Sequence, residues 1–187
     1  FTVQGWAERG IGQRNGNGTI SVLNNIIIAP ESGSHVRGAI ILSGGDGSLV
    51  KGNKVTIPEF GQVGWQSAAI MLLGTANALV VENSVTGLPA KSDIGIGVFG
   101  TQNWSNIDSN WVTATGNTIR DNIVKNTETA IAIAGDSQNT TVEENKLTEN
   151  NNQSVHIYEG DYEVAPSGTT MIKHNYISNI TNDIGSY

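Results

Sequence analysis

The hydrophobic positions of this chain fall into two short patterns that alternate from one end to the other. In one, two apolar residues flank a single position and lead into a glycine: Phe1/Val3/Gly5, Ile40/Leu42/Gly44, Ile70/Leu72/Gly74, Ile96/Val98/Gly100, Ile131/Ile133/Gly135 and Val155/Ile157/Gly160. In the other, an apolar residue is followed three positions later by asparagine and two beyond that by a second apolar residue. Its copies are Val22/Asn25/Ile27, Val50/Asn53/Val55, Val80/Asn83/Val85, Ile119/Asn122/Val124, Val142/Asn145/Leu147 and Ile172/Asn175/Ile177. These asparagines lie 28, 30, 39, 23 and 30 residues apart, so the chain repeats itself on the scale of a stacked architecture.

Residues two apart share one face of a strand, so the patterns predict short strands with one buried side. Val, Ile and Thr dominate these stretches, and no helical apolar period persists. The expected class is all-β. Stacked repeats set like residues above like at about 4.8 Å per step, which fills the interior with an apolar column. The recurrent asparagine suits a tight turn in which its amide bonds the asparagine of the next repeat and the turn backbone. The glycines suit corners that need positive φ.

Junction lengths locate the irregular segments. From the glycine to the next apolar residue the chain advances six or seven positions at Gly44/Val50, Gly74/Val80 and Gly135/Val142, against seventeen at Gly5/Val22, nineteen at Gly100/Ile119 and twelve at Gly160/Ile172. The turns at 30–38, 58–67 and 87–94 are long as well, so loops flank the glycine-pattern strands on both sides and outline a groove. The outward positions of those strands are Thr2 and Gln4, Ile41 and Ser43, Met71 and Leu73, Gly97 and Phe99, Ala132 and Ala134, His156 and Tyr158. Ile41, Met71, Leu73 and Phe99 would form an unusually apolar exposed patch, so a folded-over loop (5–19 or 101–117), a neighbouring subunit or a further domain is expected to cover it. The chain opens and closes on strand-like residues without a capping helix, which predicts a single domain over 1–187 that is part of a longer solenoid or is end-capped by another chain.

At 187 residues the chain is long enough for one continuous core. Charged residues are 14% of it and glycines number 23, a turn-rich β composition rather than a disordered one. A net charge of −7 argues against nucleic acid or an anionic membrane as partner and leaves an acidic polysaccharide open only with bridging cations, and no apolar run reaches membrane-spanning length. The absence of cysteine excludes a disulfide, a thiol nucleophile and a thiolate zinc site. No signal peptide is present, which fits a mature secreted chain or a trimmed one.

Val-x-x-Asn-x-Ile followed by Ile-x-Ile-x-Gly resembles the repeat of right-handed parallel β-helix proteins, the pectate-lyase-like superfamily, and the resemblance spans the whole chain. It implies a right-handed solenoid of about six coils with three short strands per coil: Val142 on the second, Leu147 on the third, and Val155 with Ile157 on the first strand of the next coil. It further implies a secreted or cell-surface protein that acts on a polysaccharide as a lyase or glycoside hydrolase. The superfamily also holds phage tailspikes and adhesins, so two alternatives stand: a non-catalytic assembly module that associates as a homo-oligomer through its ends and apolar face, and a carbohydrate-binding solenoid without turnover. The Asn-Thr-Asp, Gly-His-Gly and Arg-Ile-Lys set of polygalacturonases is absent, as is the Asp-Pro-His-Asp motif of alginate epimerases.

Polar chemistry gathers at one end of the outward row. His156, Tyr158, Glu159, Asp161, Tyr162 and Glu163 fall within eight residues, with Asp136 one repeat earlier at the same corner. Glu159, Asp161, His156 and Tyr158 are the catalytic candidates: paired carboxylates flanking a sugar supply acid and base or nucleophile, and a His or Tyr takes a proton from a uronate. The same carboxylates are of the type that binds Ca²⁺. The competing reading is a solvated turn. Trp6, Trp65, Trp104 and Trp111 sit in the long loops and either stack on sugar faces or seal the apolar patch. Tyr162 and Arg37 complete the substrate-binding candidates, Arg37 as a neutraliser of uronate charge of the kind seen in lyases of this superfamily. His35, His156 and His174 show no metal-ligand spacing, so no metal site is assigned. Thr56, Thr86, Thr148 and Ser178 form an outward column broken by Ile28 and Lys125, either plain sheet surface or an ice-binding ladder.

Overall fold

The computed structural model describes residues 1–4, 9–16, 18–28, 38–57, 68–87, 94–102, 111–158 and 168–178, and among them there is no helix. Strands gather into three large parallel sheets that the chain visits in turn. The glycine pattern supplies the first sheet: Arg9–Gly16, Gly38–Gly44, Ala68–Leu73, Ile94–Phe99, Thr129–Ala134 and Gln153–Tyr158. The apolar residue before each asparagine centres the second: Ser21–Leu23, Leu49–Lys51, Leu79–Val81, Thr118–Arg120, Thr141–Glu143 and Met171–Lys173. The apolar residue after it centres the third: Thr2–Gln4, Ile26–Ile28, Lys54–Thr56, Ser84–Thr86, Ile123–Lys125, Lys146–Thr148 and Tyr176–Ser178. Stacked parallel strands in this order are consistent with a parallel β-helix.

Pairing joins like positions. Ile40, Ile70, Ile96, Ile131 and Val155 stand in line in the first sheet. Val22, Val50, Val80, Ile119 and Val142 do so in the second, and Ile27, Val55, Val85, Val124 and Leu147 in the third. All of them belong to one buried core. Each such side chain gains about 1.5–3 kcal/mol from burial, against about 1 kcal/mol net for a hydrogen bond. The columns therefore supply most of the stability, and the polar ladder beside them fixes the register.

That ladder is continuous. The backbone N–H and side-chain amide of Asn25 both donate to Asn53 Oδ1, at 3.0 and 2.9 Å. The same pair of bonds runs from Asn53 to Asn83, Asn83 to Asn122, Asn122 to Asn145 and Asn145 to Asn175. From Asn53 onward each amide nitrogen also reaches back to a second-sheet carbonyl, as Asn83 does to Val50 and Asn122 to Val80, both at 2.9 Å. The residue before each ladder asparagine has positive φ: Asn24, Gly52, Glu82, Asp121, Glu144 and His174. A left-handed glutamate costs about 1–2 kcal/mol, a strain that the stacked neighbours on either side hold in place.

The first repeat departs from the expected assignment. Thr2–Gln4 is not a first-sheet strand: it pairs in parallel with Ile26–Ile28 in the third sheet, with Val3 opposite Ile27. The first-sheet strand of this repeat is Arg9–Gly16, which aligns Ile11 with Ile40 and Gln13 with Leu42 and shifts register before Gly16 meets Gly44. Part of the apparent seventeen-residue insertion is therefore this strand. It escaped the pattern because Gln13 stands where the other repeats have Leu, Val or Ile; its amide instead donates to the Gly18 carbonyl at 3.0 Å.

The outward row of the first sheet is not an exposed patch. Ile41, Met71 and Phe99 are 1%, 2% and 0% exposed and form a second core with Ala68, Ala132 and Ala134. This one chain achieves that burial without a second subunit. Gly97 makes room for it, because a Cβ there would run into the Phe99 ring. Gly44, Gly74 and Gly135 have the positive φ expected at corners, whereas Gly100 is absent from that set and instead presses its backbone against that of Asp136.

Two stability predictions follow from these contacts. Replacing Asn122 by Ala strands two buried donors of Asn83 and the Val80 carbonyl, and is expected to cost about 3 kcal/mol or more in denaturant unfolding; a loss below about 1 kcal/mol would contradict a register-setting ladder. Gly97→Ala is expected to destabilise by about 1–3 kcal/mol through the Phe99 clash, and to cost much less when combined with Phe99→Ala.

Candidate functional site

The strand Gln153–Tyr158 brings two of the predicted residues together. Alternation turns Val155 and Ile157 to the main core, so His156 and Tyr158 face outward beside Ala132 and Ala134 of the neighbouring strand. Their rings stack at 4.5 Å between centroids with planes 29° apart. Both are partly exposed, and Tyr158 packs against the second core. Burial pushes the His156 imidazole below its ordinary pKa near 6.5, so it is neutral at pH 7.

Asp136 sits at the same end of the sheet, in the corner that follows Thr129–Ala134. The Thr113 hydroxyl donates to its Oδ2, and the Gln138 amide donates to its Oδ1 at 3.2 Å. Both carboxylate oxygens are thus engaged in holding neighbouring strands: Ala114–Thr115 pairs with Ser137–Gln138 next to this corner. Asp136 serves the turn.

The long junction after Gly100 also contains structure that its length did not reveal. Thr101–Gln102 pairs antiparallel with Trp111–Val112, so the backbone of Trp111 lies at the base of an excursion opposite Gln102. Glu159, Asp161 and Tyr162, like Trp6, Arg37, Trp65 and Trp104, lie outside the described residues, as do most of the long turns predicted to border a groove. Among the described residues no three His, Cys, Asp or Glu side chains converge as a metal site would require.

No family model, curated protein or solved structure matches the chain. The chemistry of the site therefore rests on its own residues. A neutral imidazole accepts protons, and an aromatic face beside it offers an apolar surface with a polar handle. Sequence reasoning picked out both residues from their outward positions; it had no signal for their stacking, which depends on two alanines in the adjacent strand, or for the engagement of Asp136, which depends on Thr113 twenty-three positions earlier.

The pKa shift of His156 makes stability pH-dependent. Folded protein binds this proton less tightly than the unfolded chain, so the stability that depends on a neutral His156 is fully present above pH 6.5 and is lost as pH falls towards the folded-state pKa. His156→Gln is expected to flatten the fall in thermal midpoint between about pH 7 and 5; parallel curves for the two proteins would sink this account.

Proposed function

We propose that the chain is a right-handed parallel β-helix of about six coils, three short strands to a coil, of the pectate-lyase-like kind, and that it is a secreted or cell-surface protein acting on a polysaccharide. The observation that carries the reading is the stacked His156–Tyr158 pair on the outer face of the first sheet, with a neutral imidazole beside a partly exposed aromatic ring. In a lyase reaction the proton on the carbon next to a uronate carboxyl passes to His156, the C–H electron pair forms a double bond to the neighbouring carbon as that carbon's bond to the leaving oxygen breaks, and the leaving oxygen takes up a proton from water. In a hydrolase, Glu159 and Asp161 are the carboxylates of the required type on the same stretch of chain. The assembly alternative relied in part on an exposed apolar first-sheet face, and Ile41, Met71 and Phe99 are buried within the chain.

The test is incubation with neutral and acidic polysaccharides, with and without Ca²⁺, scoring unsaturated and reducing ends. One of the two products is expected to appear, and His156→Ala to lower its rate by about a hundredfold or more. Silence in both readouts would overturn the catalytic reading.

A further inference from the structure

The outer face of the third sheet differs in charge from the rest of the molecule. Its strands carry no Asp or Glu at any position, in a chain with 17 acidic residues and a net charge of −7. They do carry Lys54, Lys125 and Lys146, all at least partly exposed. On the second sheet the bases are matched: Lys51 lies 3.1 Å from Glu82, Lys173 lies 2.8 Å from Glu143, and Arg120 lies 3.9 Å from Asp121. On the third, among the described residues, no carboxylate pairs with any of the three lysines; the Lys146 ammonium sits 6.0 Å over the ring of Tyr176, which is 60% exposed.

Register sets these groups on a regular strip. Lys54, Ser84, Ile123 and Lys146 are successive partners, which separates the two lysines by three strand steps, about 14 Å. Thr56, Thr86, Lys125 and Thr148 form the parallel row, giving hydroxyls and a third cation. At the corner on one side Glu82 and Asp121 are already paired with Lys51 and Arg120, and Glu144 and, past the other edge, Glu149 are acidic neighbours of the strip.

We propose that this face binds a carboxylated polysaccharide laid along the stack of strands, with Lys54, Lys125 and Lys146 meeting carboxylates, the threonines meeting sugar hydroxyls and Tyr176 offering a stacking face. The cations alternate with hydroxyls at Thr56, Thr86 and Thr148, which suits a ligand rich in sugar hydroxyls, whereas nucleic acid calls for a dense basic groove. The inference rests on the reading that a polysaccharide is the partner, and it names the chemical class and a second surface away from His156.

The experiment measures retention of the full chain in gels containing polygalacturonate, alginate, neutral dextran or double-stranded DNA at low salt. Two charge-matched variants are compared: Lys54→Gln/Lys125→Gln/Lys146→Gln on this face, and Lys51→Gln/Arg120→Gln/Lys173→Gln on the second sheet. The first is expected to weaken binding to the two polyuronates roughly fivefold or more, and the second by no more than about twofold. Equal losses in the two variants, no loss in the first, or DNA retained as strongly as polyuronate would overturn the inference. Polyuronate turnover that persists with binding unaffected by the first variant removes this inference alone, whereas neither retention nor turnover of any polysaccharide removes the proposed function with it.

Discussion

The asparagine ladder is the constraint on which the rest of the structure depends. One amide oxygen accepts from both the backbone N–H and the side chain of the preceding asparagine, while the amide nitrogen donates both forward and back. No other short side chain has this capacity: aspartate lacks the donors, and serine lacks the reach and a second donor. These groups are buried, so every missing partner would leave a costly orphan. Repeats stack in the one register that completes the chain of amides, and the left-handed corner at Glu82 or Glu144 is the backbone distortion that this register imposes.

The ladder explains how so irregular a spacing yields so regular a stack. Asn83 and Asn122 are 39 residues apart and Asn122 and Asn145 only 23, yet both pairs make the same two bonds, at 2.9 and 3.0 Å in the first and 3.0 Å in the second. Extra length is taken up between the strands, as between the antiparallel pair at 101–102 and 111–112. Lengthening a surface loop costs little, because closure entropy grows only slowly with its size.

A stack of this kind has an inside of columns and an outside of rows, and the rows divide the chemistry. On the first sheet the outward row changes character along its length, from Ile41, Met71 and Phe99 in a buried second core, through Ala132 and Ala134, to the stacked rings of His156 and Tyr158. The second sheet matches its cations with carboxylates; Glu143 is held below the usual carboxylate range chiefly by its hydrogen bond from Lys173. The third sheet leaves its lysines unmatched among the described residues. The three sheets thus present different outer faces: apolar giving way to aromatic, charge-matched, and cationic with Ile26, Ile28 and Ile123 exposed among the lysines.

Most of the fold was legible because columns and ladder require the same residue types at the same offsets in every repeat. Val80, Asn83 and Val85 announce their strands and turn without reference to anything else. The first-sheet strand at Arg9–Gly16 was not legible, since Gln13 breaks the apolar alternation and only pairing with Gly38–Gly44 shows where the strand runs. Phe1 and Val3 mimicked the glycine pattern, but their partner Ile26–Ile28 places them in the third sheet. At the site, the sequence by itself determined that His156 and Tyr158 point away from the main core, because a strand alternates. Tertiary structure decided that their rings stack, that Asp136 is spent on Thr113 and Gln138, and that the apolar row is buried rather than exposed. Those outcomes depend on which side chains stand beside each other across repeats 23 to 39 residues apart, and periodicity along the chain carries no information about that contact.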